Sequence, residues 1–447
     1  LYVAYTLFRR RLDALQAKGE ELTLERQWQV WDSVVRENLF VICKTKMART
    51  ITRRTLLGYR GGTANLEDYN NLLHDLRHNQ DKVVRNLRNP ATWGLKGNVP
   101  MHFNAIVGNP PYHVADGGAK ASALPLYNLF FNLAKTVEPD YVSMIMEARW
   151  MIGGRGLDEF RAEMLKDHQL VVLHDFMDSH DCFPNVDIKG GVCFVLWERG
   201  ADRPCEIYTY KGGKLIEVSE RFLAYEGSEV FLRLEAVIPI IEKVRAKTET
   251  PFSTIVSRQK PYGLRGDFFA DPGKYGLPAV SSEPIKGGYA IWGLDGNRRT
   301  QCYIPKSYPL PKVGLIADYK LFFNYNYGSG MFGEMPPAAI AAKPGMICTE
   351  TFLEMGPFPD IEHVKHCDAY LRTKFVRLLI GAKKATQHGA KAVYDFVPLQ
   401  DFSREWTDKT LYEKYGLTAE EVAFIEATIP DAAAKQTKQA AKPDAKP

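Results

Sequence analysis

The sequence predicts an α/β protein, with strands and helices alternating around a parallel sheet, followed by a mixed α+β domain. Three observations predict it. Apolar runs of strand length at 103–108, 141–146, 170–174 and 191–197 alternate with stretches of helical spacing, the rhythm of a parallel α/β sheet. From about Pro251 the texture changes: Gly, Pro, Tyr and Phe become frequent and the alternation stops. The 447 residues are 45% hydrophobic and 25% charged, which is globular composition and leaves room for a sizeable core.

The elements follow in order. Residues 2–18 have helical spacing, with Leu7, Leu12 and Leu15 around Arg9, Arg10 and Arg11, and a polar segment follows. The short apolar run 38–42 predicts a buried strand, and 47–57 a basic amphipathic helix. Residues 61–98 are polar and helical in part, through Leu73, Leu76, Val83, Val84 and Leu87, closing at Asn89-Pro90. The run 103–108 is a candidate central parallel strand, stopped abruptly by Pro110 and Pro111. Helices are expected over 126–136 and 157–165. The predicted layout is a core over 1–225, a helical bridge over 226–250 interrupted by Pro239, a second domain over 251–402, short C-terminal helices over 403–430, and a disordered Ala/Lys/Gln/Pro tail over 431–447. There are no repeats.

Composition narrows the function classes. The net charge of +5 permits nucleic acid without demanding it. The seven cysteines are scattered, with no Cys-x-x-Cys pair. That gives no expectation of a metal site and fits a reducing cytoplasm. No run of 18 apolar residues occurs, so no membrane span is expected. Leu1-Tyr2-Val3-Ala4-Tyr5 lacks the pattern of a signal peptide and reads as a start inside a domain.

Chemistry concentrates in Asn109-Pro110-Pro111-Tyr112, directly after the 103–108 strand. A conjugated amine is a poor nucleophile because its lone pair is delocalised. The Asn109 amide oxygen and the Pro110 carbonyl can each accept one amine hydrogen, freeing the lone pair and stabilising the positive charge that develops on nitrogen. Two prolines fix the backbone so that the carbonyl points one way. Tyr112 offers a ring against which a flipped-out base can stack. Attack on the methyl of a sulfonium donor, S-adenosylmethionine, needs alignment more than acid–base groups. By itself the motif leaves adenine, cytosine, guanine and a glutamine side chain open as acceptors. The plain structural alternative is a proline turn after a core strand.

A succession of segments carries a family likeness. It runs from 103–112 through Asp116-Gly117-Gly118, Glu147-Ala148-Arg149-Trp150, 153–157 and Lys189-Gly190-Gly191 to Thr349-Glu350-Thr351, Thr386-Gln387-His388, 394–398 and Trp406-Thr407-Asp408. This succession resembles the Type IIG restriction–modification methyltransferases, adenine-N6-specific enzymes fused to an endonuclease, and covers about 98–429 as their C-terminal part. The resemblance implies a Rossmann-like core dependent on S-adenosylmethionine, a target-recognition domain, double-stranded DNA as partner, and an upstream nuclease domain or partner polypeptide. It puts catalysis on Asn109, Pro110, Pro111 and Tyr112. It also implies a glycine loop ahead of the first helix, which is not found before Leu1, and an acid holding the donor's ribose at the position of Cys43. A thiol cannot make that pair of hydrogen bonds. Gly328-Ser329-Gly330 and 153–156 are read as turns and not as a displaced glycine loop.

Lys374, Arg377, Lys383 and Lys384 cluster with Gln387 and His388. They form a candidate phosphate-facing patch with a base-reading amide, against the alternative of a solvated helix face. Tyr262, Tyr325, Tyr327 and Phe332 read as core aromatics. His174 and Asp175 close a strand and read as structural. Two rival functions stay open: methylation of RNA or of a protein glutamine, and a DNA-binding remnant that no longer methylates.

Overall fold

The computed structural model describes residues 1–113, 124–153, 156–226, 228–276, 280–296, 298–328, 331–384 and 388–431. The chain divides into two compact units, Leu1–Met144 with Trp197–Gly200, and Ile145–Leu196 with the chain from Ala201 onward. The predicted tail beyond Asp431 lies outside the described residues.

The first unit opens with α1 (Tyr2–Ala17) and α2 (Leu24–Asn38). The Thr23 hydroxyl caps α2 by accepting the Arg26 N–H. The segment after Lys18 thus continues as a helix where only polarity was legible. β1 (Phe40–Cys43) follows, then α3 (Lys46–Leu57), capped by Thr45. Side chains of β1 alternate with the period of a strand. Val41 packs with Trp31, Val35, Leu56 and Leu66, while Phe40 and Ile42 pack with Trp93, Phe103 and Ile106. Both faces of this run are covered, which is why it reads as continuously apolar.

β2 (Asn65–Asp68) lies parallel to β1, with Phe40 opposite Asn65 and Cys43 opposite Asp68. The Asn65 amide donates to the Arg36 and Leu39 carbonyls and locks this register. The stretch expected to be helical in part therefore contains a strand. α4 (Leu72–His78) and α5 (Gln80–Arg88) follow, tied together where the Lys82 ammonium and the Tyr69 hydroxyl, each 2.8 Å away, donate to the buried Asp75 carboxylate. These donors hold Asp75 well below the usual carboxylate range, Lys82 contributing most.

β3 (Ala105–Gly108) pairs parallel with β4 (Tyr141–Glu147), Ala105 opposite Tyr141 and Gly108 opposite Met144, with α6 (Tyr127–Thr136) between them in sequence. Among the described residues β4 is the one hydrogen-bonded neighbour of β3. The expected central strand is thus an edge strand, and its Val107 is 57% exposed.

In the second unit, α7 (Asp158–Lys166) leads to β5 (Leu170–Phe176), β6 (Val192–Glu198), β7 (Cys205–Lys211) and β8 (Lys214–Arg221), ordered β6-β5-β7-β8. β5 and β7 are parallel, while β7 and β8 form an antiparallel hairpin. α8 (Ile238–Ala246) has Pro239 in its first turn. The proline starts this helix instead of interrupting it, because the first turn needs no N–H donor. Beyond lie β9 (Tyr289–Asp295), β10 (Arg298–Ile304), β11 (Tyr319–Asn324), β12 (Ile340–Ala342), β13 (Met346–Cys348) and β14 (Phe352–Phe358). They build two three-stranded sheets, β10-β9-β13 and β12-β11-β14. α9 (Ile361–Arg372), α10 (Lys374–Lys383), α11 (Asp408–Tyr415) and α12 (Ala419–Thr428) complete the unit. This is the mixed α+β texture expected after Pro251. All seven cysteines are free. No helix among the described residues is long and apolar enough to cross a membrane.

Phe40, Trp93 and Phe103 form a closed aromatic trio, with edge-on contacts and centroids 5.3–6.3 Å apart. It joins β1 to the approach of β3. The Trp93 indole N–H is satisfied by the Leu87 carbonyl at 2.8 Å. Trp93→Ala is expected to cost about 3–5 kcal/mol, the range for truncating a buried aromatic. Hydrogen exchange at the amides of α5 and β3 checks this: protection should fall by a similar free energy, and wild-type protection would show that the trio does not join these elements.

Candidate active site

The site is built on the end of β3, within the first unit. Pro110 and Pro111 lack the N–H groups a further strand pairing would need, so the ladder stops at Gly108. Asn109 and Pro111 are exposed and Pro110 is buried. The Tyr112 carbonyl accepts the Leu126 N–H at 3.0 Å, just before α6. The Tyr112 ring meets buried Tyr127 edge-on, with centroids 6.3 Å apart and planes at 87°. The motif is therefore anchored at its start by β3 and at its end by α6. Asp116, Gly117 and Gly118 lie outside the described residues.

The start of β3 is held by Asp140, at the start of β4. Its carboxylate accepts from Asn104 Nδ2 at 2.9 Å, His102 Nε2 at 3.2 Å and an Arg199 guanidinium nitrogen at 2.7 Å. Backbone bonds reinforce it: Tyr141 N–H to the Asn104 carbonyl at 2.9 Å, and Arg199 N–H to the Asp140 carbonyl at 2.9 Å. The Asn104, His102 and Arg199 donors, in that order, pull the Asp140 carboxyl down to about 2. The cluster lies at the start of β3, ahead of the motif. It sets the register from which Asn109 is presented.

Cys43 closes β1. Its thiol is buried and its sulfur lies 3.7 Å from the Thr52 hydroxyl. It has neither the charge nor the two acceptors that a ribose diol would use. The strand beside it has them: Asp68 is the register partner of Cys43 and pairs with Arg49 at 3.0 Å. Asp68 was not singled out from the sequence, because Asn65-Leu66-Glu67-Asp68 has too few apolar residues to announce a strand. The parallel pairing with β1 brings this acid to the strand end.

The expected phosphate-facing patch is dispersed. Arg377 is 2% exposed and donates to the Gly333 carbonyl at 2.6 Å. Lys384 is 4% exposed, ion-paired with buried Glu334, with its ammonium 4.1 Å from the Tyr327 ring centre. Neither can meet a phosphate without leaving the core, which corrects their assignment to a phosphate-facing patch. Lys374 is ion-paired with Glu426 and Asp431, and Lys383 with Asp395, so both cations are already engaged within the chain. His388 bonds to the Asn326 amide oxygen at 2.6 Å, and Gln387 lies outside the described residues.

The remaining candidates make contacts within the chain. His174 stacks between Phe194 and Tyr208 at 4.2 and 4.5 Å, and this burial pushes its imidazole below the ordinary value. Asp175 is fully buried against Arg233, which also donates to the Gly190 carbonyl at 2.9 Å. Gly191 has φ +84°, and a Cβ there would fall 2.1 Å from the Phe176 carbonyl oxygen. Gly191 thus sits where the start of β6 closely approaches the end of β5. Tyr262, Tyr327 and Phe332 are buried, and Tyr325 packs against the core. Gly153 and Gly328 have φ of +87° and +67°, and residues 154, 155, 329 and 330 lie outside the described residues.

Residues 37–183 match the Eco57I restriction-modification methylase family. A stretch of 127 residues is 35% identical to an uncharacterized adenine-specific methylase of Mycoplasma pneumoniae (strain ATCC 29342 / M129 / Subtype 1), covering 26% of this chain and 29% of that protein. The chain thus spans under a third of that relative's length. Among solved structures, similarity extends to the DrdV–DNA complex (12% identity, 91% of this chain and 52% of that one, TM-score 0.43). It extends also to the Type IIL restriction-modification enzyme MmeI in complex with DNA (10%, 86% and 57%, TM-score 0.43).

The depressed Asp140 carboxyl makes the strand's anchorage pH-dependent. A carboxyl whose folded value lies below its unfolded one adds stability that is present above the ordinary Asp value, near 3.9, and lost as pH falls through the folded value. The difference in thermal midpoint between wild type and Asp140→Asn is therefore expected to be constant above about pH 5 and to shrink towards pH 2. A difference independent of pH over that range would show that Asp140 carries no such anchorage.

Proposed function

We propose that this chain is a DNA adenine-N6 methyltransferase of the restriction–modification kind, using S-adenosylmethionine as donor. The observation that carries the reading is Asn109-Pro110-Pro111-Tyr112 at the abrupt end of β3, with Asn109 exposed and the stretch within a match to a restriction-modification methylase family. The adenine-specific relative favours adenine among the amines the motif admits. The reading includes a companion nuclease, carried on a further domain or a partner polypeptide.

The residues act by geometry. The Asn109 amide oxygen and the Pro110 carbonyl accept the two amine hydrogens, and the nitrogen is drawn towards tetrahedral with its lone pair free. The Pro110-Pro111 backbone holds that carbonyl without adjustment during the reaction. Tyr112, its ring braced edge-on by Tyr127, supports the extruded base by stacking. At the donor side, Asp68 beside Cys43 supplies the carboxylate acceptor that the β1 end lacks. The donor, when bound, supplies an electrophilic methyl, and the chain's part is to align an amine with it.

Buried Cys43 favours a second reading, a DNA-binding chain with little donor affinity. Labelled donor with duplex DNA of randomised sequence separates the two. Methyltransfer is expected to yield 6-methyladenine, and Asn109→Ala is expected to lower the rate by about 100-fold or more, the scale for removing one preorganised acceptor. Equal labelling by Asn109→Ala would overturn the assignment, and absence of label from wild type would favour the second reading. Donor titration by calorimetry gives an independent measure. Asp68→Ala is expected to weaken binding by about tenfold, the worth of a charge-assisted hydrogen bond, and unchanged affinity would remove Asp68 from the donor site.

A further inference from the structure

The cations first expected to face DNA are engaged inside the chain, while others in the same unit are exposed. Arg258, Arg265, Lys306 and Lys312 are all exposed, and none has an ion-pair partner among the described residues. They lie on two loops, 257–266 and 305–318. The loops touch: a Cβ on Gly263 would fall 2.7 Å from Pro311 Cβ, and one on Gly314 3.1 Å from the Tyr262 ring. Pro261, Pro305, Pro309 and Pro311 stiffen them. Between Lys312 and Gly314, Val313 is 76% exposed, an apolar residue with no core to join.

Beneath the loops lies a buried polar network that the methyl-transfer chemistry does not use. Glu354, on β14, grips three points. Its backbone bonds Ser257 in both directions, by Ser257 N–H to its carbonyl at 2.8 Å and its own N–H to Ser257 Oγ at 2.9 Å. Its carboxylate accepts from the Tyr262 hydroxyl and from the Leu315 N–H, the latter at 3.1 Å. Lys320, on β11 and fully buried, turns its ammonium to the carbonyls of Leu315 at 2.7 Å and Asp318 at 3.2 Å. Burying a lysine and a glutamate is costly unless every polar atom is matched. A satisfied network of this kind holds irregular backbone in one conformation. Here the conformation held is that of the two loops.

We propose that loops 257–266 and 305–318 form one preorganised DNA-reading surface, with Arg258 and Lys312 on phosphates and Gln259 and Val313 towards base edges. Cations that lack internal partners can release counterions from a duplex, whereas Lys374 and Lys383 would first have to break ion pairs. An exposed amide and an exposed branched methyl group suit adenine edges and thymine methyls respectively. Rigid loops lose little entropy on docking. The inference rests on the reading of duplex DNA as substrate.

Anisotropy of a labelled duplex of randomised sequence, titrated between about 50 and 200 mM salt, tests it on the full chain. Wild type is expected to bind with a steep salt dependence. Arg258→Ala with Lys312→Ala is expected to reduce the slope of log K against log salt by about 1.8, at about 0.9 per phosphate contact, with an unchanged thermal midpoint. Lys383→Ala is expected to bind as wild type does. Gln259→Ala with Val313→Ala is expected to keep the salt slope while broadening the set of sequences recovered by selection. A double variant that binds with the wild-type slope would overturn the loop assignment while leaving DNA as substrate. A wild-type chain that binds no duplex would instead overturn the substrate reading on which it rests.

Discussion

Two successive residues without a backbone N–H constrain the candidate site. Pro110 and Pro111 end β3 because the ladder cannot continue through them, and they fix the direction of the Pro110 carbonyl at the same place. A chain that turned there on glycine could present the same groups, but it would have to order them at each encounter. Asn109 sits between a strand that is still paired at Gly108 and a proline that is already buried. Little conformational freedom is left to its backbone, so its side chain is delivered to one region of solvent. Preorganisation of this sort is what a reaction without acid–base groups requires, since alignment and fixed dipoles are the means it has of lowering the barrier.

That constraint has value only if β3 itself does not slide. A four-residue edge strand with one paired side is a weak element, and Val107 gains little from burial. The anchorage comes from outside the strand. Asp140 gathers Asn104, His102 and Arg199 at its start, and the Phe40–Trp93–Phe103 trio holds its approach against β1. Tyr112 and Tyr127 brace the far end. A one-residue slip would reverse the facing of Ile106 and Val107 and break the carboxylate cluster together. Each restraint is modest alone, and the register is secure because all would have to fail at once.

Much of this was legible in the sequence, and what was not has identifiable causes. Helices α3, α6 and α7 and strands β1, β3, β4, β5 and β6 were readable, because each has an apolar pattern of the right period or a continuous apolar run of strand length. β2 was not, since a single leucine among Asn65, Glu67 and Asp68 carries no periodicity, and its pairing with β1 is a long-range fact. The β7–β8 hairpin was missed for a similar reason: its outward residues include Glu206, Tyr208 and Tyr210, which read as neither core nor turn. Pro239 misled because proline breaks a helix only past its first turn. At the site, the motif was readable from local chemistry, but the edge position of β3 and the arrival of Asp68 beside Cys43 depend on which strands pair.

The cations show the same limit from the other side. Lys374, Arg377, Lys383 and Lys384 are close in sequence, and proximity of like charge suggests a shared solvent-facing role. On α10 and just after it, the helical period distributes them in different directions. Arg377 and Lys384 turn inwards, where the Gly333 carbonyl holds the first, and the Tyr327 carbonyl and Glu334 hold the second. Lysine and glutamate buried together add little net stability over an apolar pair, but removing either leaves an uncompensated charge. Such a pair fixes one arrangement of chain more than it strengthens it. Buried Lys320 and Glu354 likewise hold chain beneath the two loops, Lys320 through backbone carbonyls and Glu354 through the Tyr262 hydroxyl and the Leu315 N–H. In this unit, then, a lysine's place in a charged run says little about its role. What separates a cation available to a phosphate from one that holds backbone is whether the fold has already given it acceptors.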